Sequence, residues 1–418
     1  MNDIPAGKYK VFSKKHQIKQ VDENKIEERT KGIIETECKE ALKSENLVIL
    51  TGAGSSIDGG GKSVKQIWEE IFENAANQKK LDLDKVLKLI SSNIKKIKEE
   101  VFYKNNNLEE LLSRLEIERK ARKNKGENSK EISNEIKEIN SQIKDLCSET
   151  NSDPKTHKDF LTKILSARKK TSPRAKIFTL NYDTFFEDAA SEIKAVVIDG
   201  FCFNEKRIFN STDFDLDIVQ RENSRIHKEE NFYDKVFHLY KMHGSVSWKL
   251  ENREIKKLDK AEIDEPLLIY PNASKFEESY QMPFYEMISR FQISLRATNT
   301  TLMIIGYSFG DNHINRMIEE AVDSNLSLKV IVVDIDVQVV EVVDGEKPKK
   351  EHENLKNRLI NHAKNSARII FFGATFKDFV EELPQISYQD DREETLKEVF
   401  DKVFGKDSKS SEQKEGNQ

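Results

Sequence analysis

Short, continuous apolar runs constrain this chain more than any other feature. Leu47-Val48-Ile49-Leu50, Lys176–Leu180, Thr301–Ile305, Lys329–Asp334 and Arg368–Phe372 are rich in β-branched, aliphatic and aromatic residues. Each has the length of a strand, and none alternates with polar residues as a half-exposed strand does, so each is expected to be covered on both faces. Helical periods lie between them. Ile34, Cys38, Ala41 and Leu42 fall on one stripe ahead of the first run, and Ile314, Met317, Ile318, Ala321 and Val322 on another, with Asp311 placed to cap its start. Strands alternating with helices predict an α/β fold with a doubly wound, mostly parallel sheet.

Composition excludes several classes. The chain has 418 residues, 34% of them charged, yet 69 Lys and Arg against 74 Asp and Glu leave a formal charge of −5. A globally basic nucleic-acid binder is therefore disfavoured. Cys38, Cys147 and Cys202 are far apart and form neither a disulfide framework nor a C-x-x-C pair, so a cysteine-built zinc site is not expected. The N-terminus, Met-Asn-Asp-Ile-Pro-Ala-Gly-Lys, lacks the apolar core of a signal peptide, and no apolar run approaches the ~20 residues of a membrane span. The expected compartment is the reducing cytoplasm.

Segment by segment, residues 1–29 read as a polar N-terminal arm, with 30–77 and 171–385 forming the sheet-bearing core. Residues 78–170 differ, being rich in Lys and Glu with sparse apolar positions, and read as a helical insertion. Within it Ile132, Ile136, Ile139, Ile143 and Leu146 step by alternating fours and threes, a seam that needs a partner helix within the chain or in a second copy. Stretches 205–235 and 249–265 read as polar connectors, 386–404 as a C-terminal helix and 405–418 as a disordered tail.

Chemistry concentrates at the strand ends. After the first run comes Thr51-Gly52-Ala53-Gly54-Ser55-Ser56, a glycine turn that could cradle a phosphate against a helix N-terminus or be a plain strand-to-helix turn. Two fingerprints fail there, because Ile57 stands where G-x-G-x-x-G needs its last glycine, and Ser56 where the P-loop pattern ending at Gly61-Lys62-Ser63 needs its first. Thr179-Leu180-Asn181-Tyr182-Asp183-Thr184 offers a carboxamide and a carboxylate, although Asp183 is equally placed to cap a helix. His243 in Tyr240-Lys241-Met242-His243-Gly244-Ser245 sits at the end of an apolar-aromatic run and is a base or a structural histidine. Gly306-Tyr307-Ser308-Phe309-Gly310-Asp311 is a second strand-to-glycine turn, and Asp334 ends a strand, where it suits ribose hydroxyls or a turn. Gly59-Gly60-Gly61 is read as a hinge over the first loop.

In this order the motifs Gly-Ala-Gly-Ser, Leu-Asn-Tyr-Asp, His-Gly-Ser and Gly-Tyr-Ser-Phe-Gly resemble the sirtuin-like superfamily, and more closely the sirtuin-like domains of bacterial anti-phage defence proteins. The resemblance runs discontinuously from Leu47 to Asp334. It implies a Rossmann-like core in which Gly52, Ala53, Gly54 and Ser55 hold the NAD pyrophosphate. Asn181 and His243 are the implied catalytic pair, Asp183 lies by the nicotinamide, and Gly306 and Ser308 contact the adenosine side. Sirtuin deacetylases follow the first loop with Gly-Ile-Pro-Asp-Phe-Arg, whereas Ile57-Asp58-Gly59-Gly60-Gly61-Lys62 stands here. Their four-cysteine zinc module and Phe-Gly-Glu substrate strand are missing too. The resemblance therefore implies NAD cleavage by water in a bacterial cytoplasm, with NAD as substrate, no metal, and an anti-phage role through NAD depletion. It also implies a homo-oligomer and a sensor such as a HerA-like hexameric ATPase. A protein deacylase or ADP-ribosyltransferase, and a non-catalytic NAD- or ADP-ribose-binding subunit, remain the alternatives.

Overall fold

A computed structural model describes residues 10–12, 23–74, 76–90, 108–148, 153–169, 172–220, 232–268, 283–335 and 355–387. Among these residues the expected runs become strands β2 (Asn46–Thr51), β3 (Lys176–Thr179), β10 (Thr300–Ile305), β11 (Lys329–Val333) and β12 (Ile369–Gly373). They join β1 (Lys10–Phe12), β4 (Val196–Ile198) and β5 (Val236–Lys241) in an eight-stranded sheet of order β1-β12-β11-β10-β2-β3-β5-β4. Only β1 runs antiparallel, against β12; the other pairings are parallel. The doubly wound parallel sheet is thus as expected.

Period-two side-chain geometry explains why both faces are apolar. Val48, Leu50, Leu302, Ile304, Val330, Val332, Ile369 and Phe371 turn to one face. Leu47, Ile49, Met303, Ile305, Ile331, Val333, Ile370 and Phe372 turn to the other. Helices bury each set. The first face packs α8 (Phe284–Arg296), α9 (Asn312–Ser324) and α10 (Leu355–Asn365). The second packs α1 (Glu23–Leu42), α6 (Lys155–Ser166), α7 (Phe185–Glu192) and α11 (Phe376–Glu382). At roughly 1.5–3 kcal/mol per fully buried aliphatic or aromatic side chain, these two layers are the main stabilising term.

A third apolar cluster is separate. It gathers α2 (Val64–Trp68) and its π-helical continuation Glu69–Glu73 with α3 (Leu83–Ile90), α4 (Leu108–Asn124) and α5 (Lys130–Cys147). The helical module therefore starts near Val64 rather than at 78. It ends at α5, because Phe160, Leu161, Ile164 and Leu165 of α6 belong to the sheet layer. Ile132, Ile136, Ile139 and Ile143 are all buried inside the module, so the partners of the isoleucine seam lie within the chain.

Other boundaries also differ from expectation. The N-terminal arm supplies β1 and the first turns of α1, which begins at Glu23. The connector 249–265 contains a hairpin of β7 (Trp248–Glu251) and β8 (Glu254–Lys257), turned by Asn252 and Arg253, both at positive φ. That is the two-residue turn matched to strand twist, which Asn-Gly usually signals. The helix expected over 386–404 and the tail over 405–418 lie outside the described residues, which end at 387.

Candidate active site

The sheet order places β2 beside β10, where the chain's crossings change direction, and ligands of such sheets collect at the carboxyl ends of strands there. A cavity of about 390 Å³ opens at this point, within the ~300–1,000 Å³ typical of ligand sites. Gly52, Ala53, Gly54, Asn181, Asp183, His243, Gly306, Ser308 and Asp334 all line it. Ser55 does not. Its side chain is buried, with the hydroxyl donating to Gly52 O at 2.9 Å, and Ser56 takes its place on the wall.

The glycine loop after β2 is built differently from the expected cradle. Instead of a helix N-terminus, two single 3-10 turns follow, Ala53–Ser55 and Ile57–Gly59, and α2 starts only at Val64. Ser63, the end of the apparent P-loop pattern, is consumed in a capping box with Gln66. The N–H groups of Gly52, Gly54, Ser55 and Ser56 donate to Ile305 O, Gly306 O, Gly52 O and Ala53 O. Among the described residues, those of Ala53, Ser308 and Gly310 have no hydrogen-bond partner.

Gly52 and Gly54 have another reason to be glycine. A Cβ on Gly52 would lie 2.8 Å from Gly306 O, one on Gly54 2.7 Å from Gly306 Cα, and one on Gly306 2.5 Å from Gly54 C. The loops after β2 and β10 clasp backbone to backbone, and Gly306 needs its φ of 60° to do so. In Gly59-Gly60-Gly61, Cβ atoms on Gly59 and Gly61 would meet Asp153 O at 2.8 Å and Ser56 Cβ at 2.6 Å, so side chains do not fit at either position.

Asn181, beyond β3, ties the second strand end to this clasp. Its Nδ2 lies within hydrogen-bond distance of Gly52 O at 2.9 Å, Ser55 Oγ at 3.1 Å and Ser56 Oγ at 2.8 Å, and shares its two hydrogens among them. A carbonyl can only accept, so the amide nitrogen must face the loop, and Oδ1 is the atom left for the cavity. Asp183 makes two contacts. Oδ1 accepts the Phe185 N–H at 3.2 Å at the start of α7, while Oδ2 accepts the Ser56 hydroxyl at 2.7 Å on the cavity wall. Burial raises the Asp183 pKa, an effect that the Lys241 charge and the Ser56 hydrogen bond offset only in part. Lys241 reaches beneath it, donating to Asp183 O and pairing with Glu187 at 3.4 Å.

His243 is buried, and its Nε2 lies 3.2 Å from Asp311 Oδ2. The sequence marked Asp311 only as a cap for α9, and its Oδ1 does accept the His313 and Ile314 N–H groups at 2.8 and 3.2 Å. Burial raises the pKa of this carboxyl, but the hydrogen bond and charge of His243 and the two backbone donors outweigh it and hold the group below its usual value. The His243 pairing has no signal in local sequence, since 68 residues separate the partners. Asp334 also lines the cavity and pairs with Lys356 Nζ at 2.7 Å. The helical module closes one wall through Val64, Ile67 and Cys147.

Residues 175–334 match the SIR2-like domain family model. The matched segment carries Asn181, Asp183, His243, Gly306, Ser308 and Asp311, while the first glycine loop lies ahead of it. No curated protein matches the sequence. Among solved structures, the chain is similar to a Sir2 homologue in complex with NAD, at 13% identity and a TM-score of 0.38, over 84% of this chain and 91% of that one. It is also similar to a mutant Sir2 homologue in complex with 2′-O-acetyl ADP ribose, at 11% identity and a TM-score of 0.37, over 84% and 96% of the two chains. Among the described residues, no helix is long and apolar enough to cross a membrane.

Proposed function

We propose that this protein hydrolyses NAD to ADP-ribose and nicotinamide. The observation that carries the reading is the convergence of Asn181, Asp183 and His243 on one cavity at the switch point, roofed by two clasped glycine loops. The free N–H groups of Ala53, Ser308 and Gly310 suit a pyrophosphate, and the acid Asp334 suits ribose hydroxyls.

The chemistry asks little more of the protein. The C1′–N bond breaks with its electron pair going to nicotinamide, which leaves as a neutral molecule because it is cationic while attached. An oxocarbenium-like centre develops at C1′. Asn181 Oδ1 holds the attacking water or a ribose hydroxyl, the water oxygen bonds C1′, and His243 takes the proton, assistance typically worth about 10²–10⁴-fold. Asp183, beside the departing ring, stabilises its charge before bond breaking and accepts from its amide after. The resemblance to defence-associated domains extends the proposal to NAD depletion during phage infection, in a homo-oligomer or beside a HerA-like ATPase.

The test is incubation of the purified chain with NAD and no acylated peptide, alone and with a co-purifying partner. Chromatography is expected to show equal amounts of nicotinamide and ADP-ribose, and a loss of at least about 100-fold in Asn181→Ala and His243→Ala variants that still melt cooperatively. Nicotinamide released only when acyl-peptide is present would replace hydrolysis with deacylation. Binding of NAD without turnover in every assembly would make the protein a binding subunit.

A further inference from the structure

We infer that Asp311 is the positioning residue of His243, holding the imidazole with its hydrogen on Nε2 so that Nδ1 is the base presented to the cavity. This rests on His243 acting as the base in the proposed reaction. The two carboxylate oxygens of Asp311 have separate tasks. Oδ1 takes both orphan N–H groups at the start of α9, and Oδ2 lies 3.2 Å from His243 Nε2. Capping alone does not require this arrangement, because a carboxamide or hydroxyl caps a helix about as well as a carboxylate.

Asp311 is also clamped from behind. Its N–H donates to the Tyr307 hydroxyl at 3.2 Å, and that hydroxyl donates to Asn315 Oδ1 at 2.9 Å. Asn315 Nδ2 in turn donates to Phe309 O at 2.8 Å, so the whole turn from Gly306 to α9 is braced. The side chains of His243 and Asp311 are only 10% and 8% exposed, so their interaction is little screened by solvent. A carboxylate held anionic can only accept, which puts the imidazole hydrogen on Nε2. Among the described residues Nδ1 has no hydrogen-bond partner, and His243 lines the cavity.

In the step, water gives its proton to Nδ1 as its oxygen bonds C1′. The Nε2 hydrogen stays in place, and the charge appearing on the imidazolium is offset by Asp311. The loops after β10 and β5 thereby act as one unit, although they share no strand pairing.

The decisive variant is Asp311→Asn in the full chain. Its carbonyl can keep capping α9, so thermal stability should fall by no more than a few degrees. Its NH₂ then faces Nε2 as a donor and drives the hydrogen to Nδ1, blocking the base. Nitrogen-15 spectra of histidine-labelled protein, with the His243 signal assigned through a His243→Gln variant, should show the Nε2–H tautomer in the wild type. Asp311→Asn should show the Nδ1–H form. Asp58, Lys62, Asp183 and Asp334, the other charged groups lining the cavity, are unchanged in this comparison. Nicotinamide release should fall about 10²–10⁴-fold in kcat with KM changed less than about threefold. A wild-type Nδ1–H tautomer, or a variant with unchanged tautomer, overturns the assignment. These spectra do not depend on turnover, so a protein that fails to cleave NAD would refute the proposed reaction and leave the tautomer assignment to stand or fall by itself.

Discussion

Gly54→Ala puts a Cβ 2.7 Å from Gly306 Cα and 3.0 Å from Gly306 O, against backbone that cannot swing aside. Overpacking of this kind costs about 1–3 kcal/mol, and here the strain falls on the clasp that shapes the cavity. Thermal melting should register the loss together with weakened NAD binding. Gly310→Ala is the matched control, because its Cβ meets nothing nearer than Ser308 Oγ at 3.4 Å. Equal stability of the two variants would mean that the loops part without cost. The glycines of a phosphate-binding pattern are thus needed first to let two loops touch. That requirement is invisible in the local sequence, because Gly306 lies far along the chain from Gly54.

The helix α5 illustrates how a period can be right and its partner unknown. Ile132, Ile136, Ile139 and Ile143 do form one apolar stripe, and the amphipathic pattern alone leaves a second chain as a possible partner. In the fold the stripe meets Leu87 and Val86 of α3, Leu111, Leu112 and Leu115 of α4, and the Trp68–Phe72 segment, all in one cluster. Polar residues tie the module to the core, with Lys144 Nζ donating to Ile263 O at 2.8 Å and Lys137 paired with Glu265 at 2.5 Å. Ile139→Ala, at a position with no exposure, should cost about 2–5 kcal/mol. Amide exchange should then show protection lost across α3, α4 and α5 while β2, β10 and β11 keep theirs. Uniform loss across the sheet would show that module and core unfold as one unit.

Stability of the folded chain should fall steeply in acid. His157, on α6, packs against α7 and α11, stacked on Phe185 at 5.0 Å and edge-on to Phe186 and Phe376, and among the described residues neither ring nitrogen has a hydrogen-bond partner. Burial lowers its pKa to about 3, and burial with the Lys176 charge lowers that of His238 to about 4. Both are depressed below the unfolded value of 6.5, so between there and the folded values the unfolded chain binds more protons. Their contribution is complete above about pH 6.5 and is lost as pH falls, on the order of 2 kcal/mol from each by pH 5. Denaturant melts from pH 7 to 4 should show this slope, and His157→Phe should make it shallower while removing two unsatisfied nitrogens. An unchanged slope would mean that the His157 site opens to water before global unfolding.

Five strands of the sheet, the helical stripes at Ile34–Leu42 and Ile314–Val322 and the doubly wound topology were legible in the sequence because each depends on short-range patterning. A run such as Leu47–Leu50 buries both faces whatever packs on it, and a stripe such as Ile314–Val322 specifies a helix by spacing alone. The strand-end positions of Asn181, Asp183, His243 and Asp334 were legible for the same reason. β4 and the β7–β8 turn were not, because a three-residue strand and an Asn-Arg turn carry too little local signal. Which of two neighbouring serines faces the cavity, which carboxylate meets His243 and what the isoleucine seam packs against depend on contacts across tens to hundreds of residues. Those contacts come into being only when the sheet order lays β2 between β10 and β3 and brings their loops together.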